Sequence, residues 1–256
     1  MRHQDRRRSL SFGDDADAYD RERPSYPPAL IDRLMDTRPR RVLDIGCGTG
    51  KAGRLLAERG CAVLGVEPDP RMAAVARGHG LEVEEARFEE WDPAGRSFDL
   101  AMSAQAWHWV DPTAGAAAAA AALRPGGRLA LVWNRGSHDP ATQAALDEVY
   151  LRLVPALRES SGPPGAMDPP GGGLSHDEAI AVDGRFGPAE ADTVEWERDY
   201  PRDRWLELIT THSDHRVLPA EQRARLLAAV GEVIDSLGGS IRLHYRTVLT
   251  RWPRRE

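Results

Sequence analysis

Apolar positions along the chain fall into two spacings. Short unbroken apolar runs mark buried strands, and apolar residues three or four apart mark helices. Arg41-Val42-Leu43-Asp44-Ile45 reads as a first buried strand, Cys61 to Val66 as a second and Leu81 to Ala86 as a third. Phe98 to Met102 and Arg128 to Trp133 are the fourth and fifth. Helices are predicted from Pro28 to Asp36, from about Lys51 to Arg59, after Asp69-Pro70, and from Pro112 to Leu123. Ala52, Leu55 and Leu56 form the inner face of one; Met72, Val75 and Ala76 form that of the next. Asp69 can accept free amide hydrogens at the helix start, with proline in the first helical position. Gly60 and Pro125-Gly126-Gly127 read as stops. Strands alternating with helices of this length imply a parallel sheet with right-handed crossovers.

The pattern changes after Asn134. Asp139-Pro140 starts a long helix carrying Leu146, Val149, Tyr150, Leu153, Val154 and Leu157 at helical spacing. Gly162 to Gly173 is nearly all Pro and Gly and reads as a loop, with a flexible lid as the alternative. Ala191 to Tyr200 and Ile241 to Trp252 read as strands, separated by an amphipathic helix from Pro219 to Leu237. Two late strands joined through helices form an antiparallel edge on a parallel sheet. The helices at about 201–237 either cap the mouth of a site or simply pack on the sheet. The expected fold is therefore α/β, a mostly parallel seven-stranded sheet flanked by helices, with an antiparallel edge and a helical cap. Residues 1–27 form a polar N-terminal arm, expected to be mobile through about residue 25. Residues 28–135 form the core, and 136–256 complete the sheet and add the cap.

The loop after the first strand carries the chemistry. Glycines between a strand end and a helix start let the backbone approach a ligand and aim free N–H groups at it. A P-loop is excluded, because Ala52 follows Lys51 where Ser or Thr is needed, and Ile45 stands where its first glycine should be. Gly48-Thr49-Gly50-Lys51-Ala52-Gly53 satisfies G-x-G-x-x-G literally. Its register is poor for a dinucleotide, since Gly48 lies three residues past the strand and Gly53 falls within the helix.

Val42-Leu43-Asp44-Ile45-Gly46-Cys47-Gly48-Thr49-Gly50 instead resembles motif I of the class I S-adenosylmethionine-dependent methyltransferases, acid-x-Gly-x-Gly-x-Gly. That resemblance implies a Rossmann-like fold, S-adenosyl-L-methionine as cofactor and S-adenosyl-L-homocysteine as product. Asp44, Gly46, Gly48 and Gly50 would cradle the amino-acid end. A carboxylate there suits a sulfonium-bearing zwitterion and would repel a pyrophosphate. Glu67 ends the second strand, about 20 residues after the loop begins, where an acid accepts both ribose hydroxyls. Phe88 and Glu89 sit where the family contacts adenine; Arg87 departs from its pattern, which often has an acid there. Ser103-Ala104-Gln105-Ala106-Trp107-His108-Trp109 and Tyr19-Asp20-Arg21-Glu22-Arg23-Pro24-Ser25-Tyr26-Pro27 resemble a subgroup related to trans-aconitate and other small-molecule methyltransferases. The resemblance places Ala104 and Trp107 beside the methionine end, with Trp107 able to cover the sulfonium. Arg23, flanked by Tyr19 and Tyr26, suits a carboxylate clamp. His108 is the candidate base for a hydroxyl acceptor.

Composition narrows the reading further. A net charge of −6 over 256 residues leaves no overall basic footprint for nucleic acid. Cys47 and Cys61 form neither a disulfide framework nor a zinc pattern. No run is long and apolar enough to cross a membrane, and no apolar segment follows the charged N-terminus. A cytoplasmic enzyme on a small-molecule acceptor is expected, with oxygen the favoured methyl acceptor and no metal. The alternatives are an NAD-dependent oxidoreductase, from the literal glycine match, and a non-catalytic S-adenosylmethionine-binding protein. His212, His215, His244 and Tyr245 fall in the cap region without a pattern that singles one out.

Overall fold

The computed structural model describes residues 13, 16–157 and 176–256. The Gly/Pro-rich segment at 162–173 lies outside the described residues. Seven strands form one sheet: β1 (Arg41–Ile45), β2 (Ala62–Val66), β3 (Glu82–Glu84), β4 (Phe98–Ala104), β5 (Leu123–Ser137), β6 (Glu190–Pro201) and β7 (Ser240–Pro253). Their spatial order is β3-β2-β1-β4-β5-β7-β6. The first five run parallel, and β7 is antiparallel to both β5 and β6. This is the mostly parallel sheet with an antiparallel edge that the sequence implies.

Alternation along β1 explains the two buried layers. Leu43 and Ile45 join a core with Phe88, Trp91, Phe98, Trp107, Leu129, Leu131 and Trp252. Val42 points to the opposite face, among Leu30, Leu34, Leu56, Val63, Ala76, Leu100 and Met102. Helices α2 (Pro28–Leu34), α3 (Gly53–Ala57) and α4 (Pro70–Gly78) cover that second face. Asp69 caps α4 through the Arg71 amide at 2.9 Å. Helix α5 (Pro112–Ala122) lies on the first face, capped by Asp111 through the Thr113 and Ala114 amides. Its inward residues Ala116, Ala119, Ala120 and Ala122 are fully buried. Their small side chains bring the helix close to the sheet.

The structure corrects several boundaries. Residues 16–22, read as part of a mobile polar arm, form helix α1 (Ala16–Glu22). Ala16, Ala18 and Glu22 are buried on its inner side. Asp20 meets His79 at 2.9 Å, and Glu22 pairs with Arg21 and Arg204 at 2.7 and 3.0 Å. The Asp20–His79 and Glu22–Arg204 contacts join distant parts of the chain and leave no local periodic signal. Helix α3 is shorter than read, because residues 49–52 turn through the glycine loop before it. The third strand pairs only over Glu82–Glu84. β5 is longer than read: β7 pairs with it from Arg128 to Ser137, carrying the strand beyond its apolar stretch. Helix α7 (His176–Asp183) has no counterpart in the sequence reading; its Ile180 is fully buried in the first core layer.

Helices α6 (Pro140–Leu153), α8 (Arg202–Thr210) and α10 (Ala220–Ser236) share a third core with β6 and β7, and the short α9 (Ser213–Arg216) follows α8. It contains Leu146, Val149, Tyr200, Trp205, Leu208, Leu226, Val230, Ile234 and Leu243. Residues of α6, α8 and α9 line the same cavity as the ends of β1, β2 and β4, on the side the sequence reading assigned to a cap. Among the described residues no helix is long and apolar enough to cross a membrane.

Candidate active site

The strand order reverses between β1 and β4, the place where open α/β sheets bind ligands. A cavity of about 890 Å³ opens there, walled by the β1 loop, the ends of β2 and β4, the α1–α2 segment and the cap. The loop is shaped by left-handed glycines. Gly46 (φ +64°) donates its amide to the Val66 carbonyl at 2.8 Å, and an added Cβ would lie 2.6 Å from Ala106 Cβ. Gly48 (φ +56°) donates to Glu67 Oε2 at 2.9 Å. Ser103 Oγ donates to the Ile45 carbonyl at 2.9 Å and ties the β1 end to β4.

Two carboxylates dominate the electrostatics of this end. Asp44 is 1% exposed, and neither of its carboxylate oxygens has a hydrogen-bond partner. Burial pushes its pKa up to about 7; the nearby Gly53 N–H, short of a full hydrogen bond, opposes this and the Glu67 charge adds to it. Glu67 is held by the Gly48 amide and by the Asp69 amide, at 2.9 and 3.0 Å. Burial raises it to about 7 as well, against the pull of those two amides. Facing them, Arg23 donates Nη2 to the Thr211 carbonyl at 2.9 Å and lies over the Tyr19 ring. Its Nε is buried without a partner. Tyr26 stands close enough to both Asp44 and Arg23 to feel each charge, and burial raises its phenol.

Most residues singled out from the sequence meet at this cavity. Asp44, Gly46, Gly48, Glu67, Phe88, Glu89, Ala104, His108 and Arg23 line it, with Tyr19 and Tyr26. Two placements differ from expectation, and one residue at the expected place is already engaged. Trp107 is fully buried in the core behind the wall, its ring 6.2 Å from Phe88, and does not line the cavity. Gly50 does not line it either. A Cβ there would meet Leu81 and Ala76, so its bareness lets the loop pack on α4. The Glu89 carboxylate already accepts from the Asp111 amide at 2.8 Å and from Arg87 at 3.2 Å. His108 packs its ring 4.8 Å from Trp109 and 5.4 Å from Trp133.

The cap contributes residues that sequence reasoning left undifferentiated. His215 Nδ1 lies 2.8 Å from Asp214 Oδ1, and its Nε2 lies 2.7 Å from Tyr150 Oη. All three line the cavity. His212, Asp214 and His215 bring donor atoms within 4.8 Å of one another. Both ring nitrogens of His215 are already engaged, so the group reads as a hydrogen-bonded chain. No sequence signal could have joined Tyr150 to His215, because 65 residues separate them. His244, by contrast, is half exposed and pairs with Glu197 away from the site.

This strand order, with a glycine loop and buried acid at the β1 end beneath a helical cap, is the class I methyltransferase architecture. Comparison with known proteins agrees. A family model described as a methyltransferase domain matches residues 19–161. An uncharacterized methyltransferase of Mycobacterium tuberculosis is 37% identical over 95% of each chain. The trans-aconitate 2-methyltransferase of Mycobacterium ulcerans is 32% identical over 52% of each chain. Among solved structures, a putative type II methyltransferase from Anaeromyxobacter dehalogenans is 28% identical, with a TM-score of 0.63, covering 90% of this chain and 97% of that one. The chain belongs to the class I S-adenosylmethionine-dependent methyltransferases.

Proposed function

We propose that this protein is a cytoplasmic enzyme that transfers the methyl group of S-adenosylmethionine to oxygen of a small-molecule acceptor. The observation that carries the assignment of the donor site is Asp44, a buried carboxylate with neither oxygen satisfied, set beside two left-handed glycines. A buried unpaired acid costs free energy unless a cationic ligand completes it. The ammonium of the methionine end supplies that partner. Arg23, with a buried unpartnered Nε, suits the carboxylate of the same zwitterion. Glu67, at the β2 end, accepts the ribose hydroxyls, while Phe88 and Glu89 flank the adenine. Gly46 and Gly48 leave the space that a Cβ would fill. Gly50 and Trp107 act from behind, one by loop packing and the other by fixing Phe88.

When bound, S-adenosylmethionine supplies an activated methyl on a sulfonium, so the protein's main work is positioning and excluding water. The Ala104 and His108 wall at the β4 end and the cap helices enclose the acceptor. A dinucleotide would set its pyrophosphate against Asp44 and Glu67, which disfavours the nicotinamide reading. Calorimetric titration with S-adenosylhomocysteine, S-adenosylmethionine and NAD tests the assignment. Binding of the first two and not of NAD is expected; binding of NAD alone overturns it. Transfer of labelled methyl into a small-molecule extract separates an enzyme from a protein that only holds the cofactor.

A further inference from the structure

The acceptor half of the cavity has a distinct chemistry. Leu146, Leu157, Trp205, Leu208, Leu243 and Tyr245 give it a continuous set of apolar and aromatic side chains, among neutral polar groups such as Gln143 and Tyr150. Among the described lining residues on the cap side the fixed charges are Asp147 and Asp214, both negative. Arg23 stands at the junction with the donor half, and one arm of its guanidinium is already given to the Thr211 carbonyl. A polycarboxylate would meet repulsion here and find no arginine fork to hold it. A neutral ring would find apolar and aromatic surface.

Into this half points the chain Asp214–His215–Tyr150. Asp214 Oδ1 accepts from the His215 backbone amide at 2.9 Å and lies 2.8 Å from Nδ1. A carboxylate at that distance fixes the proton on Nδ1. Nε2 is then a bare lone pair, and at 2.7 Å it accepts from the Tyr150 hydroxyl. The Tyr150 oxygen keeps its own lone pairs for a donor in the cavity. The arrangement has the three parts of an oriented base: a carboxylate, an imidazole, and a hydroxyl at the substrate end.

We propose that Tyr150, His215 and Asp214 form a proton relay for the acceptor, and that the acceptor is an uncharged, largely apolar compound bearing a phenol-type hydroxyl. This deepens the methyl-transfer reading above and rests on it. The acceptor O–H bond breaks toward Tyr150 Oη while the Tyr150 proton moves to His215 Nε2. The O–CH₃ bond forms as the S–CH₃ bond breaks, leaving a neutral thioether. The net proton resides on His215, beside an ionised Asp214, and then leaves to solvent. Tyr150 is the catalytic residue; His215 and Asp214 act through it. Burial and the Asp214 charge both raise the Tyr150 phenol, so it passes a proton rather than resting as an anion. The Asp214 carboxyl, although burial opposes it, is held well below its usual range by hydrogen bonds from the His215 ring and the His215 backbone amide. The groups facing His215 are Asp214 and His212 from its own segment and Tyr150 from α6; Arg23 acts on His212, which burial keeps neutral.

The test uses the full chain loaded with S-adenosylhomocysteine or the methyl donor. Nitrogen-15 spectra of histidine-labelled protein should show His215 protonated on Nδ1, with the assignment lost in Asp214→Asn. Phenol and 4-nitrophenol serve as acceptor probes in mildly alkaline buffer, where only the second is ionised. Tyr150→Phe and His215→Gln should each lower kcat about 10²–10⁴-fold on phenol, the usual worth of a positioned base. They should lose far less on 4-nitrophenol and leave S-adenosylhomocysteine affinity unchanged. The acid limb of the kcat profile on phenol should vanish in His215→Gln and persist in His108→Ala. Equal losses on both phenols, an Nε2-protonated His215, or an acid limb that follows His108 overturns the relay. Cofactor-binding protein that methylates trans-aconitate and no phenol, or turns over neither, overturns the acceptor class. Failure of the parent protein to bind S-adenosylhomocysteine counts against the methyltransferase reading itself.

Discussion

Asn in place of Asp44 should make the ligand-free protein more stable and its cofactor binding weaker. In the folded chain this carboxyl keeps its proton up to about 7, whereas its ordinary value is 3.8. The cause is burial first, aided by the Glu67 charge. A folded-state value raised this way gives stability that is complete below the unfolded value and lost as pH climbs through the folded one. At 1.36 kcal/mol per pH unit, the charge penalty above pH 7 reaches at most about 4 kcal/mol. Asn mimics the protonated carboxyl at every pH. Asp44→Asn should therefore melt with the parent near pH 4 and increasingly above it towards pH 8, by up to roughly 10 °C for a chain of this size. The same change removes the partner of the ligand's ammonium, a charge-assisted contact worth about 1.5–3 kcal/mol, or about ten- to a hundredfold in Kd. Differential scanning calorimetry of the ligand-free protein across that pH range, with calorimetric titration of S-adenosylhomocysteine, reads both effects. A variant that melts lower than the parent near pH 8, or whose advantage does not change with pH, refutes the electrostatic argument. Unchanged affinity refutes the placement of the ammonium.

Three further outcomes test other parts of the site. Gly46→Ala puts a Cβ into a left-handed residue 2.6 Å from Ala106, and should cost about 2–4 kcal/mol, lowering Tm by roughly 5–15 °C. Glu67→Gln keeps the acceptor oxygen but loses the charge, and should weaken S-adenosylhomocysteine about ten- to a hundredfold while binding of methionine alone is little changed. Trp107→Phe opens space in the core behind the cavity; a stability loss on the order of 2 kcal/mol with cofactor affinity within about twofold is expected, and a large affinity loss with an intact fold would return this residue to the cavity wall.

Much of the fold was legible because its signals are local. The apolar runs of β1 and β2, the Asp69-Pro70 start and the glycine stops each reflect a few neighbouring residues. The acid at each of the first two strand ends was legible for the same reason, since strand and turn place them by register alone. Trp107 was misplaced by one wall thickness. A short helical turn after β4 (Trp107–Trp109) decides which of three consecutive aromatic rings faces inward, and no period distinguishes them. Helix α1 was missed because its short, mostly polar sequence is held by Glu22–Arg204 and Asp20–His79, contacts far apart in the chain.

The chain's own order of residues thus determined the sheet, the glycine turn and the two acids that line the cavity, because hydrophobic period and backbone sterics act over a few residues. Tertiary structure alone decided what closes over them. Tyr150 on α6 and His215 on α9 share a hydrogen bond only because β6 and β7 carry the cap helices back across the strand ends. The unpaired state of Asp44 is likewise a property of the packed molecule, since desolvation depends on every neighbour that excludes water.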